Sequence, residues 1–350
     1  MAQQEDITRF DPNGPGIHGN LFGLPFTPET SALVIVPVPW EVTVSYHTGA
    51  ADGPGAVLQA SSQIDTFSKD IPDAWKAGYA MLAVPDELAS ESKKLRSLAA
   101  RHIARLENGE SFERTDPLVL KINEACENLN IYVKSTTQKY LKEGKMVGLL
   151  GGDHSTPLGF LRALSEQHNR FGILHIDAHA DLRKAYEGFT YSHASIMYNA
   201  LKLPAVARLV QVGIRDICEE EVNVIGRSMG RVVTFFDEDL KANKFSGMTW
   251  AEVCDTIIRN LPDEVYISFD IDGLDPKLCP NTGTPVAGGL EFFEAVFLLK
   301  KLVQSGRRII GFDLSEVAGG QSDWDANVGA RMLFQLCNWM AVSQGKLRTI

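Results

Sequence analysis

Asp177-Ala178-His179-Ala180-Asp181 sets two carboxylates and an imidazole on alternate residues. In an extended chain that spacing aims all three side chains to one side. Asp270 and Asp272 repeat the spacing further along, and His154 stands in Gly151-Gly152-Asp153-His154-Ser155. Carboxylates gathered this densely repel and raise one another's pKa unless positive charge lies among them. Two divalent cations meet that need, since four aspartates and two neutral histidines carry −4 against +4. Carboxylate and imidazole donors without thiolate suit borderline-hard ions such as Mn, Ni, Zn, Co or Fe. The pattern implies a binuclear metal site and names no substrate.

Nearby polar residues have plainer uses. Asp153 and Asp275 read as cap or turn formers. His175, inside an apolar run, reads as a hydrogen-bonded core residue. Gly-Gly-Asp-His alone is a turn found in many folds, whereas D-x-H-x-D together with S-x-D-x-D-x-x-D-P is far more specific.

These residues must be positioned by the elements before them. Apolar, β-branched runs predict strands at Ala32–Pro39, Val147–Leu150, Gly172–Ile176, Arg208–Gly213, Val232–Phe236, Glu264–Phe269 and Ile309–Leu314. Several are apolar throughout, as parallel strands covered on both faces must be. Amphipathic stretches predict helices at Pro117–Gly144, Ser155–His168, Ser192–Leu203, Thr249–Leu261, Leu290–Ser305 and Asn327–Val342. Such alternation implies an α/β fold, a mostly parallel central sheet between two helical layers. Ligands bind beyond the carboxyl ends of such strands. Four strand ends therefore bring His154, Asp177, His179, Asp181, Asp270, Asp272 and Glu316 to one crevice. Residues 1–30, rich in Pro, Gly and Asn, read as an irregular N-terminal arm. Residues 31–350 read as one elaborated domain, with the polar, poorly periodic segment 65–116 as an insertion packed on it.

Composition narrows the class. Hydrophobic content of 44% and charged content of 22% fall in the globular range. Thirty-four Lys and Arg against forty-four Asp and Glu leave a net charge of −10. A nucleic-acid or anionic-membrane binder needs a basic surface, so no partner of either kind is expected. The five scattered cysteines form no C-x-x-C pair and argue against a disulfide framework. No stretch approaches the roughly 20 apolar residues of a membrane span, and the start lacks a basic leader. A cytoplasmic location is expected.

Three segments, Gly151–Ser155, His175–Asp181 and Ser268–Pro276, resemble the signatures of the ureohydrolases, the arginase and agmatinase family. The resemblance runs from about Val34 to Met340, with further matches at T-V-S-Y-H-T-G-A, G-T-P-V-A-G-G-L and D-L-S-E-V. It implies a three-layer α/β/α fold holding two divalent ions, Mn or Ni, in a homotrimer or homohexamer. By motif, His154, Asp177, Asp181 and Asp270 hold one ion. His179, Asp177, Asp270 and Asp272 hold the other. The implied reaction is attack of hydroxide on a guanidinium carbon, giving urea and an amine or ammonia. Glu316 matches the carboxylate that pairs with the guanidinium, and Asp181 the group that carries a proton to the leaving nitrogen. His193 matches a proton-shuttling histidine, with an ordinary helix N-terminal residue as the alternative.

Substrate choice is read from departures. Residues 182–190 lack the Asn and Ser loop with which arginases read an α-amino acid. The arm and Val36–Tyr46 look similar to guanidine hydrolases, and Trp40 is either a wall that shortens the pocket or a core residue. Glu316 is followed by Val-Ala-Gly-Gly, where many relatives have Pro after Glu-Val. Free guanidine is the favoured substrate. Agmatine, hydrolysed to urea and putrescine, or a guanidino acid is the alternative. A single-zinc deacylase and a non-catalytic metal-stabilised scaffold are more remote readings.

Overall fold

The computed structural model describes residues 7–113, 115–320 and 322–350. Eight strands form one sheet: β1 (Leu33–Val38), β2 (Tyr79–Met81), β3 (Met146–Gly151), β4 (Phe171–Ile176), β5 (Val206–Ile214), β6 (Val232–Phe236), β7 (Glu264–Asp270) and β8 (Arg308–Ser315). Their order is β2-β1-β3-β8-β7-β4-β5-β6, and every pairing is parallel. Helices cover both faces, so the fold is the expected α/β/α sandwich, with a sheet that is parallel throughout.

One face is sealed by helix Asp323–Ser343, whose Leu333, Leu336 and Met340 are fully buried. The other rests on helix Pro117–Lys142 through Ile122, Leu129 and Val133. That helix starts where Asp116 Oδ1 accepts the Leu118 N–H at 2.8 Å, with Pro117 in the first turn. Gly159 lets helix Leu158–Ser165 press against it, since a Cβ there would meet Asn130 O at 2.3 Å.

Every predicted strand is present, but segment 65–116 holds more structure than its sequence suggests. It supplies edge strand β2 and helix Asp86–Glu107. The inward face of that helix includes Ser92, Leu95, Ala99, His102 and Ile103, so two polar members break the apolar period. Helices Gly53–Ser61, Glu219–Arg227 and Asp237–Phe245 lie outside the predicted amphipathic stretches. Within the arm, Leu21, Phe22 and Leu24 are buried, and Phe22 packs edge-on to Tyr79 and Phe334. Residues 1–6 of the arm and Arg114 of the 65–116 segment lie outside the described residues. No described helix is long and apolar enough to cross a membrane, and all five cysteines are free.

Candidate metal centre

Strands β3, β8, β7 and β4 lie side by side in the middle of the sheet. The chain leaves β4 toward β5 and β6 and returns to β7 on its other side, which makes a switch point there. His154 follows β3, Asp177 to Asp181 follow β4, Asp270 ends β7, and Glu316 follows β8. The turn after β3 is pinned to the main chain of Trp40, with the Asp153 N–H on Trp40 O at 2.7 Å. Only glycine fits at 152, because a Cβ would stand 2.0 Å from that same oxygen.

The expected residues come together. His154 Nδ1 lies 3.0 Å from Asp177 Oδ2, 3.2 Å from Asp181 Oδ2 and 3.3 Å from Asp270 Oδ2. His179 Nδ1 lies 3.4 Å from Asp177 Oδ1 and 3.1 Å from Asp272 Oδ2. The two oxygens of Asp177 thus face different histidines, and two adjacent donor groups share one carboxylate. His154, His175, Asp177 and Asp181 form one set able to hold a metal ion, and Asp177, His179 and Asp272 a second.

The backbone reaches this arrangement differently from a uniformly extended chain. Asp181 has φ of 54°, a left-handed turn that aims its carboxylate back at His154. Asp272 sits in a 3-10 turn, Ile271–Gly273, because Asp270 Oδ1 accepts its N–H at 2.9 Å. An aspartate that bonds the backbone two residues on closes a turn instead of extending a strand.

Charge is the dominant feature of the site. Asp177, Asp181, Asp270, Asp272 and Glu316 are all buried. Burial, with Asp272 and Asp177 adjacent, pushes the Asp270 carboxyl well above the usual range. Burial and the charge of Asp177 raise Asp181 to about 6. Burial, with Asp153 nearby, likewise raises Glu316. Carboxylate oxygens and imidazole nitrogens in this excess fit divalent cations and no other common cofactor.

Glu316 and His193 lie side by side at the edge of the cluster. Glu316 Oε2 is buried without a hydrogen-bond partner. His193 Nδ1 lies 3.8 Å from Glu316 Oε1, and its Nε2 lies 3.4 Å from Ser45 Oγ. Burial holds the His193 imidazole down to about 3, so it is neutral. After Glu316 the chain runs against the turn near Gly53, where a Cβ would meet Val317 O at 2.2 Å, and Gly319 N–H donates to Gly49 O.

Other polar residues sort as follows. Asp153 Oδ1 accepts the Ser155 N–H and Asp275 Oδ1 the Lys277 N–H, so both form turns. Trp40 is 1% exposed and packs in the core, which leaves it off the pocket wall. His175 is hydrogen-bonded as expected, but to Asp177 Oδ2 at 2.7 Å. Ser268 and Asp313 were missed: the Ser268 Oγ lies 2.8 Å from His154 Nε2, and Asp313 Oδ1 lies 3.5 Å from it. The signal for Ser268 is a polar side chain on the same strand face as Asp270 two positions later, whereas Asp313 stands out only through its pairing with Ser268.

A cavity of about 150 Å³ opens onto the cluster, walled by Ser45, Arg183, Tyr186, His193, Asp216 and Glu221. Among known proteins, the arginase family model matches residues 31–338. The chain is 28% identical to an N(1)-aminopropylagmatine ureohydrolase of Synechocystis over 90% of its length and 91% of that protein's. It is 32% identical to the Thermus thermophilus enzyme of that name over 85% and 87% of the two chains. The crystal structure of the agmatine ureohydrolase of Thermoplasma volcanium superposes with a TM-score of 0.72, covering 98% of this chain and 99% of that one at 23% identity.

Proposed function

The chain belongs to the arginase family and hydrolyses a guanidino C–N bond, and from that premise we propose that its substrate is free guanidinium, cleaved with water to urea and ammonium. His154, Asp177, Asp181 and Asp270 would hold one divalent ion, and His179, Asp177, Asp270 and Asp272 a second, with Mn or Ni acceptable to this donor set. Such ions, when bound, lower the pKa of water toward neutrality and so supply hydroxide.

The side chains divide the remaining work. Glu316 Oε2, buried and without a partner, is placed to take the N–H fork of a planar cation. Pairing with that cation restores the ionisation that burial opposes. Asp181 takes the proton released as the tetrahedral carbon forms and returns it to the departing nitrogen. Neutral His193, between Glu316 and Ser45, passes protons between the cavity and solvent.

The observation that carries free guanidinium is the cavity: about 150 Å³, with Arg183 on its wall. Most small-molecule pockets span ~300–1,000 Å³, so this one suits a compact ligand. A cationic tail would also meet the Arg183 charge. Asp216 favours a second reading, because its carboxylate is 69% exposed at the rim and could receive the ammonium of agmatine or aminopropylagmatine. Urea release from guanidine, agmatine, N(1)-aminopropylagmatine, 4-guanidinobutyrate and arginine, with Mn and Ni separately, tests both. Guanidine should show the highest kcat/KM; preference for agmatine would select the second reading, and silence on all five with metal bound would remove the hydrolase assignment.

A further inference from the structure

One row of side chains crosses the sheet a layer beneath the proposed ligands. Strand register pairs Thr234 with Gln211, Gln211 with His175, His175 with Ser268, and Ser268 with Asp313. In the buried middle of a sheet, a continuous polar row needs hydrogen-bond partners. Gln211 and His175 are completely buried.

The hydrogen bonds assign each atom. Gln211 Nε2 lies 2.7 Å from Ala180 O, a pure acceptor, so the amide nitrogen must face that way. Its oxygen accepts from Thr234 Oγ1 at 2.9 Å, which agrees. The same Nε2 lies 3.0 Å from His175 Nδ1, so Nδ1 is the acceptor and the ring proton sits on Nε2. That Nε2 donates to Asp177 Oδ2 at 2.7 Å. With one nitrogen accepting and the other donating, His175 has no free lone pair for a metal, although it lies within the donor set.

We infer that Gln211 and His175 are positioning residues for the metal centre: Gln211 selects the His175 tautomer, and His175 then holds Asp177 in its shared orientation. Gln211 does this twice over, since Ala180, whose carbonyl it binds, lies between His179 and Asp181. The inference rests on the metal-centre reading above and adds residues that touch neither ion nor substrate. Partners of this kind set metal affinity by ~10–100-fold.

The test is Mn²⁺ titration of the full-length protein after chelation, following ions bound per chain. His175→Leu should weaken binding roughly 10–100-fold, while His175→Gln, whose amide can donate to the same oxygen, should recover most of the loss. Thr234→Val, at the half-buried end of the row, should shift affinity the same way by less, and it serves where His175→Leu does not fold. Wild-type affinity in His175→Leu, or in Thr234→Val where that variant stands in, would overturn the relay. So would equal loss in the Leu and Gln variants, since that means packing alone matters. A wild-type chain that binds neither Mn²⁺ nor, in a parallel titration, Ni²⁺ would overturn the metal-centre reading itself.

Discussion

Glu316 Oε1 accepts the backbone N–H of His154 at 2.9 Å, which ties the end of β8 to the end of β3. The contact occupies one carboxylate oxygen and leaves the other, Oε2, buried beside Gly283 without a hydrogen-bond partner. Glu316 also takes a left-handed φ of 62°, a conformation that costs a non-glycine residue energy and clusters at working sites. The strain and the shared oxygen both fix where Oε2 points.

Glu316→Gln tests that assignment. The amide keeps the shape and loses the charge that pairs with a cation. Hydrogen bonds to charged groups are worth about 1.5–3 kcal/mol, so kcat/KM should fall by roughly tenfold to a hundredfold. Metal content should stay at the wild-type level. Kinetics beside elemental analysis check this, and a variant with wild-type kcat/KM would remove Glu316 from substrate binding.

Asp177→Asn should behave differently. Asp177 Oδ2 faces His154 and Oδ1 faces His179, so neutralising this residue weakens both donor groups together. The expected result is loss of both ions in dialysed protein and no measurable urea release. Retention of two ions at wild-type affinity would exclude a bridging role.

Gly152→Ala probes the turn that presents His154. Its new Cβ would stand 2.0 Å from Trp40 O, a backbone atom that cannot rotate away. Overpacking of this kind costs about 1–3 kcal/mol and shifts the backbone. Thermal unfolding should begin at lower temperature, and metal affinity should fall with it. An unchanged Tm would mean that the Trp40 main chain yields freely.

Much of this site is legible in the residues alone, because parallel strands between helices advertise themselves as apolar runs and their ends carry the chemistry. Asp177, His179, Asp270 and Glu316 all sit where that rule puts them. The local path is harder to read. Nothing in the spacing of Asp181 announces a positive φ, and Asp272 lies in a turn made by the side chain of Asp270. Gln211, Ser268 and Asp313 hide for a different reason: inside apolar runs they pass for isolated core residues until strand register aligns them. The short edge strand Tyr79–Met81 has too few residues to show a period.

Two exposed aromatics bear on the expected assembly. Phe245 is 85% and Phe293 78% exposed, and an ion pair between Lys244 and Glu294 joins their two elements. Exposed aromatics on linked elements are characteristic of surfaces that a partner covers. Light scattering should give a trimer or hexamer, as the family resemblance implies. Phe245→Asp with Phe293→Asp should lower the oligomer mass without altering metal content per chain. A wild-type monomer would remove the assembly expectation.

Arg183 offers the sharpest test of substrate choice. Its guanidinium lies 4.7 Å from the centre of the Tyr186 ring, on the wall of the cavity. A second positive charge on an extended substrate would approach it, whereas compact guanidinium places its only charge against Glu316. In a solvated cleft such repulsion is worth about 1 kcal/mol. Arg183→Ala should therefore raise agmatine kcat/KM relative to guanidine by roughly fivefold to tenfold. Guanidine itself should change little, because Arg183 makes no contact with Glu316. If the ratio stays fixed, the Arg183 charge does not discriminate, and cavity size alone must exclude the longer substrates.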